Sequence, residues 1–348
     1  MIAFFYIADK KQLFGVKKVL TLTLLVLAFT SSVANEISQR VDRISSLIYS
    51  YPDSAFNQAM ILMEDAKDAS DEYGVLQSNF IIAFIYELGW GYFGKSIIYY
   101  LEAIRFAEKS DYQQVNSNLA SLNKNCGVIF RKFNAYELAT NYYSEALRYA
   151  RLDNNIKQVI SIQYNLSGIY RDQRNHSLAI STLLDILGQT ETDSKKYFEI
   201  LNRLSATYYE DNDFEQSFHY TELLLYSNCP YTKLQAYSNN ILGRAYMQKM
   251  ELNASETHLY TALDIIETNP DYFSDSKAKL DVLSDLGEVS RLNNRPEEAL
   301  AFYREAEGIM PGVTQDPEYF KVYKSIADLL FEQQNYQTSK VYEDLYTS

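Results

Sequence analysis

The sequence has little glycine and proline, with 12 and 6 residues in a chain of 348, which is about half of ordinary usage for the pair. An all-β protein needs many turns that contain these residues, so their shortage argues against that class and favours long helices. Cysteine occurs only twice, and two cysteines in so long a chain do not make a disulfide scaffold. We predict that Cys126 and Cys229 are free thiols, with Cys126 at a buried helical position.

Basic residues are also in short supply, since 32 Lys and Arg stand against 45 Asp and Glu for a net charge of −13. A chain with a net negative charge repels phosphates, which argues against nucleic acid as its partner. Apolar residues make up 47% of the chain, enough for a large packed core. Aromatic residues are abundant, with 31 Tyr and 18 Phe.

The first 34 residues have the pattern of a secretory signal peptide. Lys17 and Lys18 precede the apolar run 19–29, and small residues follow at Ser32 and Ala34. The run is too short to span a bilayer of about 30 Å, although a membrane anchor is the alternative. We therefore predict cleavage after residue 34 and a periplasmic or secreted mature protein.

The mature chain, residues 35–348, would carry a larger negative charge. Removal of four Lys and one Asp leaves 28 basic and 44 acidic residues, a net charge of −16. No second apolar run in it is long enough to cross a membrane. The segment before Lys17 is longer than a signal peptide needs, so we expect that translation starts at Val16 rather than Met1.

A segment of about 40 residues repeats along the mature chain. Apolar residues recur at helical spacing on both sides of a central turn, which predicts an antiparallel pair of helices in each repeat. Tyrosine and phenylalanine would fill the gaps between pairs. Two small residues twelve apart mark each repeat, namely Gly127 and Ala139, Ser167 and Ala179, Ser205 and Ser217, Gly243 and Ser255, Gly287 and Ala299, and Ala327 and Ser339. The second series extends upstream to Ser96 and Ala55.

This pattern resembles the tetratricopeptide repeat, which has a small residue at position 8, an aromatic at 11, a small residue at 20, an aromatic at 24 and alanine at 27. Gly127, Phe130, Ala139, Tyr143 and Ala146 match all five positions. The resemblance implies an all-α, right-handed superhelical solenoid of stacked antiparallel helix pairs, with about eight repeats over 35–348. The long period is similar to that of the maltose-regulon activator and of periplasmic sensor regions of diguanylate cyclases.

The repeat that contains Gly89 is irregular. Residues 89–94 spell G-x-G-x-x-G, but a dinucleotide site would need a strand before it, so we predict a turn between helices. The turn holds one extra residue, so Ala83 and Phe84 are both candidates for position 8. The three histidines are not at metal-ligand spacing and no catalytic motif occurs. We therefore expect neither an enzyme nor a bound cofactor or metal.

The resemblance implies that positions 2, 5, 9 and 12 of the first helix in each repeat face a concave groove. Arginine can fork onto a carboxylate, and tyrosine or asparagine can hold a peptide main chain, so the partner would be a peptide or protein segment. Alternatively, Arg131 and Arg171 pair with acids on neighbouring helices. We expect the excess acid mainly on the outer faces. The candidate groove residues are Lys124, Arg131, Tyr164, Arg171, Asn202, Tyr209, Asn240, Arg244, Arg291 and Lys324.

These features predict a non-catalytic, exported module that binds a peptide or protein in its groove. A second hypothesis is the periplasmic sensory portion of a truncated diguanylate cyclase or histidine kinase. The chain stops at Ser348, directly after the last repeat. An in-frame membrane helix and output domain in the downstream DNA would favour the second hypothesis.

Overall fold

The computed structural model describes residues 36–37, 39–111, 116–227, 229–273, 277–309 and 320–347. The predicted signal peptide and start site lie outside the described residues. The described part contains sixteen α-helices and no strand. It falls into two compact units, of which one ends at Ile162 and the other begins at Gln163. The single domain expected over 35–348 stays a prediction.

The first unit contains six helices, and a π-helical turn, Ile85–Gly89, extends the third of them. They are α1 (39–47), α2 (Pro52–Asp68), α3 (Glu72–Phe84), α4 (Phe93–Lys109), α5 (Leu119–Lys132) and α6 (Tyr136–Leu152). Helix α7 (Ile156–Asp172) contains the boundary between the units.

The second unit continues with nine helices. They are α8 (His176–Gly188), α9 (Lys195–Glu210), α10 (Phe214–Tyr226), α11 (Thr232–Gln248), α12 (Leu252–Thr268), α13 (Lys277–Leu292), α14 (Pro296–Ile309), α15 (Lys321–Glu332) and α16 (Tyr336–Thr347). Within the described ranges, every helix is too short or too polar to cross a bilayer.

The helices pair in order, and we call the first of each pair leading and the second trailing. Their close approach depends on the small residue at position 8. A Cβ on Gly127 would lie 2.7 Å from the Tyr143 ring, and one on Gly287 would lie 2.5 Å from the Tyr303 ring. These two tyrosines, both at position 24, therefore pack directly against a glycine of their own leading helix. The predicted all-α fold of stacked antiparallel helix pairs is confirmed.

Serine at position 20 adds a hydrogen bond to this crossing. The hydroxyl of Ser255 donates to the Gly243 carbonyl at 2.7 Å, and that of Ser339 donates to the Ala327 carbonyl at 2.8 Å. Both hydroxyl donors are buried, so these bonds satisfy polar groups that would otherwise be costly to bury.

The turn within each pair has one repeated geometry. The residue at position 15 has a positive φ, as at Asn134, Arg174 and Asn294. Its N–H bonds to the carbonyl at position 12, and the next N–H bonds to the carbonyl at position 11; for Arg174 and Asn175 these distances are 2.8 and 2.7 Å. This is the Schellman arrangement, which caps the last carbonyls of a helix. It ties the main chain of position 12 to the turn.

Aromatic residues pack within the helix pairs as well as in the predicted place between successive pairs, where, for example, the Phe218 and Tyr246 rings lie 4.6 Å apart. Tyr100, Tyr143 and Tyr303 are wholly buried. A second set stacks position 11 on position 23: the Tyr208 and Tyr220 rings lie 5.5 Å apart and nearly parallel. His258 takes the position-23 place and stacks on the Tyr246 ring, so its role is packing.

The irregular repeat keeps the same turn by absorbing its extra residue into the π-helix. Ala83, wholly buried, fills position 8, which settles the choice between it and Phe84. Gly91 has φ +70° and occupies position 15, and the Tyr92 N–H bonds to the Tyr86 carbonyl at 2.6 Å. That bond spans six residues where the regular repeats span five. The G-x-G-x-x-G motif is therefore a turn, as predicted.

Both cysteines are free thiols, as predicted, and Cys229 is buried as well as Cys126, for which burial was predicted. Burial raises the pKa of the Cys126 thiol to about 12, and burial also raises that of Cys229. Thiols of this kind are poor nucleophiles because little thiolate is present at neutral pH.

Candidate functional site

The leading helices of the second unit lie side by side. Helix α9 contacts α11, α11 contacts α13, and α13 contacts α15. Side chains of α11, α13 and α15, many of them at positions 2, 5, 9 and 12, line two open cavities that share Lys321 and Ser325. The cavities therefore form one continuous surface, which we call the leading-helix groove.

The inner cavity, of about 340 Å³, is lined by Arg244, Lys277, Leu280, Asp281, Ser284, Asp285, Lys321, Val322 and Ser325. The end cavity, of about 560 Å³, is lined by Glu288, Arg291, Lys321, Lys324, Ser325, Asp328, Phe331, Glu332 and Tyr346.

Asp285 organises the inner cavity. The Asn240 side-chain amide donates to its Oδ2 at 2.8 Å, and Arg244 Nε lies 3.9 Å from its Oδ1. The Arg244 guanidinium also lies 4.8 Å from the centre of the Tyr209 ring. Burial raises the pKa of the Asp285 carboxyl, and the Arg244 charge and the Asn240 hydrogen bond oppose this. Two predicted residues, Asn240 and Arg244, thus meet at one carboxylate, and a third, Tyr209, packs against Arg244.

Arg291 lines the end cavity and is fixed by two carboxylates. Its Nε and Nη2 donate to the two Glu288 oxygens at 3.0 and 2.7 Å, and its Nη1 lies 3.7 Å from Glu332 Oε1. Hydrogen bonding to Glu288 raises the pKa of Arg291. The Tyr303 hydroxyl donates to Glu288 at 3.1 Å, which connects the groove to the core. This fork makes Arg291 a rigid part of the groove.

Two further candidates, Arg171 and Asn202, connect successive leading helices. Arg171 Nε lies 3.6 Å from Glu210 Oε2, which confirms the ion-pair alternative for this arginine. The Asn202 side-chain amide donates to the Ser238 hydroxyl at 3.1 Å.

Tyr164 is covered by two cations of the following leading helix. The Arg203 guanidinium lies 3.5 Å from the ring centre of Tyr164 and donates to its carbonyl oxygen at 2.6 Å. The Lys196 ammonium lies 4.2 Å from the same ring. The ring face is therefore engaged within the protein.

Lys124 and Arg131 belong to α5 of the first unit, where both are partly buried. Each already has an interaction within the protein. They belong to a different compact unit from the leading-helix groove. Their role in ligand binding stays a prediction.

The expected separation of charge, with acids mainly on the outer faces, is wrong for this groove. Asp285, Glu288 and Glu332 lie among the bases that the sequence pattern placed there. The physical reason is that an arginine on a packed helix face is stabilised by a carboxylate from its own or the adjacent leading helix. The groove therefore carries alternating charge rather than a basic stripe.

The site residues that the sequence pattern did not predict share one repeat position. Asp285, Arg203 and Ser325 are all at position 6, next to the position-5 candidates but outside the positions that the resemblance assigned to the groove. A charged side chain within two residues of apolar positions on both sides in a leading helix was the available signal. Asp285, in Leu283-Ser284-Asp285-Leu286, is such a case.

No family model and no curated protein matches the sequence. The fold is similar to the apo form of the quorum sensor NprR from B. thuringiensis, with a TM-score of 0.70 and 14% identity over 89% of this chain and 86% of that chain. It is also similar to the Rap conjugation gene regulator of plasmid pLS20 in complex with the Phr peptide, with a TM-score of 0.56 and 17% identity over 80% and 75%. A tetratricopeptide repeat protein from Parabacteroides merdae gives a TM-score of 0.55 and 14% identity over 84% and 99%.

Proposed function

We propose that this tetratricopeptide-type helical repeat protein is a non-catalytic binding module whose leading-helix groove holds an extended peptide or protein segment. The observation that carries the proposal is the continuous groove made by α11, α13 and α15. An extended main chain exposes N–H and C=O groups at short intervals, and the groove offers polar side chains along three successive helices. The solved Rap complex with the Phr peptide supports this choice, because that protein has a similar fold.

The charge of the groove favours a peptide over a nucleic acid. Arg244, Lys277, Arg291, Lys321 and Lys324 supply five positive charges, and five acids line the same cavities. A phosphate backbone would meet as much repulsion as attraction there. A peptide carries both kinds of charge and can match an alternating pattern.

Selection from a random peptide display library, followed by calorimetry, tests the proposal. We expect wild-type protein to enrich peptides and the double variant Arg291→Glu/Lys324→Glu to lose most of their affinity. The matched control is Arg304→Glu/Lys340→Glu, which makes the same charge change on the trailing helices α14 and α16. Equal affinity for both double variants, or no enrichment at all, would contradict the proposal.

We also propose that residues 1–34 direct export, so that the module acts in the periplasm or outside the cell. The support is the sequence pattern alone. A fusion of residues 1–34 to alkaline phosphatase lacking its own signal should be active in the periplasm, and one with Leu24→Arg and Leu25→Arg should not. Equal activity of the two fusions would contradict export by this segment.

A further inference from the structure

Lys324 differs from the three arginines of the second unit that the sequence predicted for the groove. Arg171, Arg244 and Arg291 each lie within 4.0 Å of a carboxylate. Within the described ranges, no carboxylate lies that close to the Lys324 ammonium, which lies 6.0 Å from the centre of the Tyr346 ring. Lys340 of the same repeat, by contrast, pairs with both Glu343 and Asp344. The end cavity therefore holds a base whose charge is not matched by an ion pair.

Exposed aromatic surface lies in the same cavity. The Phe331 side chain is 62% exposed and Tyr346 is 40% exposed. Tyr336 braces the Phe331 ring in an edge-on contact with centroids 5.1 Å apart. Large apolar side chains left open in a concave site are typical anchors for an apolar group of a ligand.

We propose that the end cavity binds an apolar side chain that is adjacent to a side-chain carboxylate in the ligand, with the apolar group against Phe331 and Tyr346 and the carboxylate on Lys324. This inference rests on the proposed function, because it names the chemistry of the segment in the groove. Charge complementarity selects the carboxylate. Asp328 and Glu332 line the same cavity and repel a free anion, so the apolar contact is needed to place the carboxylate at Lys324.

Peptide arrays with randomised flanks and a defined central pair test the inference. The central pairs are Phe-Glu, Phe-Gln, Phe-Lys and Ala-Glu. Wild-type protein should retain Phe-Glu peptides about fivefold more than Phe-Gln peptides, the size of effect that one partly exposed ion pair gives. Phe-Glu should also exceed Ala-Glu by a similar factor. Lys324→Gln should abolish the first preference, and Lys324→Glu should shift it towards Phe-Lys.

Two control variants separate the site from general effects. Lys340→Gln removes a paired lysine of the same repeat, and Tyr226→Ala removes a ring on α10 that is 80% exposed. Both should keep the wild-type preferences, whereas Phe331→Ala should lose the preference for Phe-Glu over Ala-Glu. Retention of many peptides without these preferences would overturn the inference and leave the proposed function standing. Retention of no peptide would overturn both.

Discussion

The tyrosine at position 24 has a different environment in the second repeat from that in the seventh repeat. Tyr303 donates to Glu288, a half-buried position-9 residue that Arg291 also holds. Tyr100, at the equivalent position, donates at 3.0 Å to Glu87, which is only 8% exposed.

Glu87 occupies position 12, where other repeats place Arg131, Arg171 or Arg291. The extra residue in the second repeat starts the π-helix at Ile85 and places the Glu87 carboxyl under Tyr100. The Asn125 amide completes the set by donating to the Tyr100 hydroxyl at 3.3 Å. Glu87 is the least exposed carboxylate within the described ranges. One inserted residue therefore converts an open groove position into a buried polar one.

The largest expected effect concerns the crossing that both repeats share. Gly287→Ala should destabilise the protein by about 2–3 kcal/mol, because the new Cβ would lie 2.5 Å from a Tyr303 ring carbon that is packed on all sides. Urea unfolding followed by circular dichroism measures the change. Gly308→Ala is the control: in the described part of the chain, no atom beyond its own helix backbone and chain neighbours lies within 4 Å of the new Cβ, so a neutral or stabilising effect is expected. Equal losses of stability in the two variants would contradict the close approach of the helices at Gly287.

Removal of the tyrosine hydroxyls tests the difference between the repeats. Tyr100→Phe should cost about 2 kcal/mol, since it leaves the buried Glu87 carboxyl without its donor. Tyr303→Phe should cost about 1 kcal/mol, because Glu288 keeps two hydrogen bonds from Arg291. Native-state hydrogen exchange of the affected helix pair reports each loss locally. A larger loss of stability for Tyr303→Phe than for Tyr100→Phe would show that burial of Glu87 does not determine the loss.

Two substitutions at position 15 of the turns should change the stability of the protein in opposite directions. Arg174→Gly should stabilise by about 1 kcal/mol, because arginine at φ +59° is strained where glycine is not. Gly91→Ala should destabilise the protein by about the same amount, since its φ is +70°, although among the described residues no atom other than those of its chain neighbours lies within 4 Å of the new Cβ. Thermal unfolding of both variants measures the shifts. A change of the same sign in both would contradict the shared turn geometry.

The smallest effect is a pH dependence of the second repeat. Burial raises the folded-state pKa of Glu87 above 4.5, and the Tyr100 hydrogen bond and the charges of Lys132 and Lys124 oppose this. A raised carboxyl pKa gives stability that is fully present below the unfolded pKa and is lost as pH rises through the folded pKa. Glu87→Gln should therefore be more stable than wild type near pH 7, with the gap closing towards about pH 4. A difference in the free energy of unfolding between the two proteins that stays the same at all pH values would contradict this prediction.

The sequence predicted the fold in detail where the repeat is regular. Small residues at positions 8 and 20, such as Gly287 and Ala299, report the helix crossing directly because only a small side chain fits there. It could not predict that the Asp285 and Glu332 carboxylates enter the groove, since helical spacing does not state which charged neighbour turns towards an arginine. The role of Glu87 was also hidden, because the extra residue shifts the register at that point.

The central claim, that the leading-helix groove holds a peptide, is tested most directly by photo-crosslinking. A benzoylphenylalanine at position 331, in the end cavity, would be compared with one at position 226 on α10 after illumination with a random pool of short peptides. Mass spectrometry should show peptide adducts at position 331 and few at position 226. Adducts at neither position, or equal amounts at both, would contradict the claim.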